Sequence, residues 1–515
     1  MSKNIKKVLC LTLAVAMTGS LFTACGKKEE KKQVATLSPM TEDEITLTYQ
    51  FWEDGPIVDS LNKEWAKKYP NITVKPSEVL VTDNNTNLTN YLGTDNMPDV
   101  FWVLGTPDFA ITNGMLTNMD GMWSADPDTK NVIGGINEFQ LGYLGTDGKW
   151  TTPVKFFPTE AWLNMNYFTT HNADMPSTDW TFEDMESLAE SLTTGDGQGW
   201  GVSEAVTVIT WYPIASDADC IGEFGWNGKE FDLTNWADGV EIEKGWIDKG
   251  YKAPAAIDGT DNQYPQDLGM VAMRLDNWWC WERYWNKDEM YTRHVYWVPY
   301  VLPHTEDNSS SDTYLATMDF GGIYADCAYP REAYEVLKYF AWGPEGWTYK
   351  LSKYDEIVAV GAEGDGASVS GLVPGPINNC PITTDDTIWE EYQKKHPTTL
   401  AGGDTEGKDQ YGIDRAPYFD AFFETVKNSK WTCYGSAQIP GFDTWLANNY
   451  NSATMYDGFE GVEKWVFEGG GDPADKVADL TESANQTNQD YINQIKSVLE
   501  LSLIHISEPT RPRLI

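Results

Sequence analysis

Positive charge, histidine and cysteine are all scarce in this chain, and each scarcity removes a class of function. Its 515 residues carry 37 lysines and arginines against 78 aspartates and glutamates, a net charge of −41. A surface of that sign repels phosphate backbones and anionic lipid, so neither nucleic-acid binding nor electrostatic adsorption to a membrane is expected. The acidic residues are spread along the chain instead of being gathered in a tail, which serves solubility. The cysteines beyond residue 25 are Cys220, Cys280, Cys327, Cys380 and Cys433. They are odd in number and widely spaced, with no Cys-x-x-Cys, so buried free thiols are expected in place of a disulfide framework or a zinc knuckle. His171, His294, His304 and His396 show no metal-ligand spacing, and neither a metal nor another cofactor is expected. There is no internal repeat. The apolar run Val8–Met17 is too short to span a bilayer.

That run belongs to a leader. Lys3, Lys6 and Lys7 precede it, and small residues then lead to Leu21-Phe22-Thr23-Ala24-Cys25. A cysteine placed there resembles the lipobox of bacterial lipoproteins, although Phe22 stands where leucine is usual. The resemblance implies removal of residues 1–24, lipidation of Cys25 and attachment to the outer face of a membrane. Residues 25–44 then read as a polar, flexible tether. At the other end, Leu501–Arg511 is the in-frame translation of a transposase-end sequencing adapter. Residues 501–515 are therefore expected to be foreign and unstructured, with the native sequence departing after Glu500.

Tryptophan is abundant: 23 residues, many in acidic and amide-rich surroundings. Indole faces beside carboxylates and amides suit carbohydrate, whose C–H faces stack on the ring while its hydroxyls meet the polar groups. A tryptophan-rich core is the competing explanation. The remaining pattern is α/β. Ile45, Leu47, Tyr49 and Phe51 alternate as a strand; Ile57, Leu61 and Trp65 keep helical spacing up to Pro70; Ile72 and Val74 begin a second strand. This strand–helix–strand unit implies parallel pairing. Asp99–Leu104 is a buried strand, Thr181 with Asp184 caps a helix, and Pro330 opens another carrying Ala333, Leu337 and Phe340. Residues 361–371 form a loop, and helical and irregular segments dominate beyond Trp389. A chain this long is expected to form two lobes.

Several segments follow the order of one family. Asn96-Met97-Pro98-Asp99-Val100, Gly148–Pro153, Leu163–Phe168 and Trp180–Asp184 resemble segments of the extracellular solute-binding proteins of ATP-binding-cassette sugar importers, the maltose-binding-protein group. Gly269–Trp279 and Pro330–Phe340 continue the series, with Asn277 in place of the family's usual glycine. The match runs from about residue 45 to 345 and is poor thereafter. It implies a periplasmic-binding-protein type II fold: two α/β lobes, a crossing hinge and a ligand cleft between them. Lobe 1 is expected over 45–153 with 303–360, and lobe 2 over 154–302 with 361–500.

In such sheets ligand lies beyond the carboxyl ends of the strands. The candidate contacts are Trp52, Glu53 and Asp54 after the first strand, Trp102 ending another, and Phe156, Glu160 and Trp162 at the first crossover. Trp211, beside Tyr212, belongs to the second lobe, and Asp276, Trp278, Trp279 and Trp281 form the densest group. In the family, the tryptophan matching Trp279 stacks on a sugar ring. The resemblance implies a monomeric, non-enzymatic receptor at the outer membrane face that passes an oligosaccharide to permease subunits. Two alternatives are a secreted glycoside hydrolase, which needs two carboxylates across the scissile bond, and a peptide receptor of the same importer class.

Overall fold

A computed structural model describes residues 36–50, 55–79, 84–103, 107–136, 148–255, 257, 264–280, 293–353, 377, 379–395, 414–432, 435, 438–449 and 462–507. The chain begins as its alternation dictates. Strand β1 (Ile45–Gln50) leads into helix α1 (Gly55–Lys68), and β2 (Ile72–Pro76) returns parallel to β1 with Ile45 opposite Ile72. Leu61 and Trp65 of α1 are buried, and the Trp65 indole N–H donates to the Ile72 carbonyl at 3.0 Å, fastening helix to strand. Strand β3 (Val100–Val103), buried along its whole length, lies parallel to β1 on the other side.

Strand β4 (Thr152–Asn164) is thirteen residues long and every one is buried. It is followed by α2 (Phe182–Ser191), whose first turn carries the expected capping box: the Thr181 hydroxyl accepts from the Asp184 N–H at 3.2 Å, and the Asp184 carboxylate from the Thr181 N–H at 2.9 Å. Then come β5 (Trp200–Glu204), α3 (Val208–Ser216), β6 (Val271–Asn277), β7 (Trp297–Val301) and β8 (Thr313–Ile323). Helix α4 (Pro330–Phe340) starts on its proline and buries Ala333, Leu337 and Phe340. Helices α5 (Asp386–Lys395) and α6 (Ala416–Asn428), a short β9 (Lys430–Thr432) and the long α7 (Val477–Ser507) complete the elements used below.

The nine strands form one sheet in the order β2-β1-β3-β8-β4-β6-β5, with β7 also on β4 and β9 on β8. The long strands β4 and β8 join its two halves. From Thr152 to Pro158, β4 pairs antiparallel with β8, which pairs antiparallel with β3 on its other edge. At Thr159 it changes partners and runs on between β6 and β7, with Thr159 opposite Asn277 and Glu160 opposite Asp276. A strand that serves both halves and changes neighbours midway is the element about which two lobes can turn.

Helix α7 reaches both halves. Its Asn485 side chain exchanges hydrogen bonds with the Phe231 backbone at 2.7 and 3.0 Å, while Ile495 packs into the cluster containing Val79, Leu88 and Phe101. The helix continues to Ser507, so residues 501–507 are helical, where no structure was expected. Leu501, Leu503 and Ile504 extend a segment already in helical register, and nothing in that run breaks a helix.

Candidate functional site

Alternation along β4 separates two environments. Phe156, Glu160 and Trp162 point to one face, and that face is covered. The Trp162 ring stacks on Trp278 (centroids 5.7 Å apart, planes 17° apart), and Trp278 stacks in turn on Phe422 of α6 (5.3 Å, 20°). Phe423 meets Trp278 edge-on, and the Trp278 indole N–H donates to the Tyr392 hydroxyl of α5 at 3.2 Å. Phe156 meets Trp431 of β9 edge-on at 5.4 Å. Helices α5 and α6 with β9 therefore close this face, and Phe156, Trp162 and Trp278 have no exposed surface.

Glu160 is also fully buried there. Its Oε1 accepts from the Trp162 indole at 2.8 Å, and Oε2 has no hydrogen-bond partner among the described residues. Burial, reinforced by the facing Asp276 carboxylate, raises its pKa well above the usual carboxylate range. Asp276 fastens the end of β6: Oδ1 accepts from the Asn277 N–H at 2.9 Å and the Cys280 thiol at 3.0 Å, while Arg274 Nε meets Oδ2 at 3.1 Å. Burial, and then Asp276, push the Cys280 thiol pKa up, so this sulfur stays protonated.

The other face of β4 carries Lys155, Phe157 and Thr159, themselves buried, and the surface opens beside them at the end of β6. A single 3₁₀ turn, Trp278–Cys280, ends β6 with Trp278 turned into the core and Trp279 turned out. Trp279 is 37% exposed, among the few large hydrophobic side chains that are, and its ring stands edge-on to Phe157 with centroids 5.5 Å apart. Thr317 and Asp319 of β8, both half-buried, lie opposite Phe157 and Lys155. Asn277 Oδ1 accepts from Thr159 Oγ1 at 2.8 Å and from Thr317 Oγ1 at 3.4 Å. An exposed indole face beside a phenyl edge, hydroxyls and a carboxylate, set where β4 changes partners, can stack on an apolar ring face and hydrogen-bond its rim.

The expected contacts are thus divided. Trp279 lies at this surface. Asp276 and Glu160 lie behind it, and Phe156, Trp162 and Trp278 belong to the core, because odd and even positions of β4 face opposite ways. Trp102 is nearly buried in β3, opposite Gly321 of β8. Trp211 of α3 is buried edge-on to Phe182 at 5.9 Å and lines a separate, shallow recess with His304 and Tyr314. Trp52, Glu53, Asp54, Trp281 and Cys25 lie outside the described residues. Phe157, Thr159, Thr317 and Asp319 were not read from the sequence, because selecting them requires the β4–β6 and β4–β8 register, which no local pattern supplies. Among the described residues at least twelve tryptophans, Trp65, Trp236 and Trp297 among them, are fully buried, so the tryptophan content builds the core first.

No family model and no curated protein matches the chain by sequence. Solved structures match it by shape. A Listeria monocytogenes ABC substrate-binding protein in complex with cycloalternan superposes with a TM-score of 0.57 at 17% identity, over 86% of this chain and 99% of that one. A sugar transporter from Rhizobium etli in an open conformation gives 0.61 at 15% over 85% and 99%. The sugar-binding protein MalE from Xanthomonas citri gives 0.58 at 13% over 90% and 100%. These likenesses establish the fold: the chain has the two-lobe α/β architecture of periplasmic-type solute-binding proteins.

Proposed function

We propose that this protein is an extracytoplasmic receptor, held to the membrane by a lipid on Cys25, that captures an oligosaccharide and delivers it to the permease of an ABC importer. The observation that carries the reading is Trp279, an indole exposed at the crossing strands while its neighbour Trp278 is wholly internal. A pyranose stacked on that ring buries apolar area worth roughly 1.5–3 kcal/mol. The Asp319 carboxylate stands on the same face for sugar hydroxyls. Lobe 1 (45–153 with 303–360) and lobe 2 (154–302 with 361–500) would turn about β4 and β8, and ligand bridging both would stabilise the closed state through the contacts made only there.

The similar structures support the ligand class, since one holds cycloalternan and another is a sugar-binding protein. They are binding proteins, and Glu160, buried on the core face, is not placed to act across a glycosidic bond. Thermal-shift screening against plant and host oligosaccharides tests the proposal. At least one oligosaccharide is expected to raise the melting temperature and to be recovered uncleaved. Stabilisation by peptides alone, or cleavage of the glycan, would contradict it.

A further inference from the structure

The Trp278–Cys280 turn is tied to the crossing strands by one side chain. Asn277 is buried, and its Oδ1 receives hydroxyl hydrogen bonds from Thr159 of β4 and Thr317 of β8. Thr159 is the residue at which β4 leaves β8 for β6, and Thr317 lies opposite Phe157, the ring against which Trp279 rests. A rotation of one sheet half against the other must alter the relation of these two strands at that point, and both pull on the same oxygen.

Two further anchors leave the turn little freedom of its own. Asp276 Oδ1 binds the Asn277 N–H and the Cys280 thiol, and the Trp278 ring is locked between Trp162 and Phe422. Trp279 is thus the moving end of a short rigid arm whose base is Asn277. A glycine here, as in the segments this one resembles, would leave both threonine hydroxyls without that acceptor.

We propose that Asn277 is a positioning residue that couples the Trp279 ring to the hinge, so that ring orientation and the state of the crossing strands change together. The consequence for affinity rests on the reading of Trp279 as the ligand platform; the positioning itself does not.

The test uses the full chain labelled with 5-fluorotryptophan, the Trp279 19F resonance being identified by its loss in Trp279→Phe. Without ligand, Asn277→Ala and the near-isosteric Thr317→Val are each expected to shift or broaden that resonance while leaving the Trp278 resonance in place. An unchanged Trp279 resonance in a folded Thr317→Val protein overturns the proposal, even if Asn277→Ala does not fold. Affinity for the oligosaccharide that stabilises the wild type is then measured in a double-mutant cycle. Thr317→Val is expected to weaken binding about three- to tenfold in the wild-type background and less than twofold beside Trp279→Ala. Equal losses in both backgrounds contradict the coupling. A shifted resonance combined with wild-type affinity in Trp279→Ala would leave the positioning intact and refute the ligand reading.

Discussion

Replacing Trp278 with alanine removes a ring stacked on both Trp162 and Phe422 and leaves the Tyr392 hydroxyl without its donor. That change is expected to cost about 3–5 kcal/mol of stability, the range for emptying a packed aromatic site, and to be read as a lowered urea midpoint. Glu160 gives a prediction of another kind. Its folded-state pKa lies above the unfolded value, so the native state binds the extra proton, and stability is lost as pH rises from about 4 through the folded pKa. Glu160→Gln keeps an acceptor for the Trp162 indole and cannot ionise. At pH 8 it is expected to exceed the wild type by on the order of 1–3 kcal/mol, the scale of one buried unsatisfied group, with the gap closing toward pH 4. Urea unfolding at both pH values measures this; a variant less stable than wild type at pH 8 would mean Glu160 is ionised and needed as a charge.

At the scale of elements, the parts visible in the sequence are those whose cause is local. β1, α1 and β2 follow from alternation and helical spacing within thirty residues, and the Thr181–Asp184 box announces its helix. The β4 region was marked in the sequence through Phe156, Glu160 and Trp162 at the first crossover, but neither the strand nor the covering of its faces was read there. Alternation says that two faces exist; which one is covered depends on α5, α6 and β9, which lie more than two hundred residues further along the chain. Phe156 and Phe157 are equivalent to any local rule, and so are Trp278 and Trp279 until a 3₁₀ turn sends one in and one out. The extension of α7 into residues 501–507 is consistent with local helical register and was missed because the segment was read as foreign. Among the residues with described side chains, the tertiary anchors of α7 are Thr481 to the Leu233 N–H, Asn485 to Phe231, Asn488 to the Pro440 carbonyl and Ile495 in the core. Deleting residues 501–515 is therefore expected to move the melting temperature by less than about 2 °C and to leave ligand affinity unchanged, because helix ends fray without cost to the body. A drop of several degrees in calorimetry would show that this end packs.

For the molecule as a whole, two properties define where and how it works. A net charge of −41 disfavours adsorption to anionic surfaces, so the membrane attachment proposed above depends on the proposed lipid at Cys25. Cys25→Ser is expected to move the mature protein from the membrane fraction to the soluble fraction; continued detergent-dependent association would refute that anchor. The proposed capture of sugar is the second, and in the reading given above it depends on Trp279 and the two crossing strands. The most direct test is calorimetric titration of wild type and Trp279→Ala with the oligosaccharide that most raises the melting temperature. The ring is already partly exposed, so its loss leaves the fold intact, while the missing stacking energy raises the dissociation constant about ten- to a hundredfold. A folded Trp279→Ala protein that binds like wild type would place the sugar elsewhere and contradict the account.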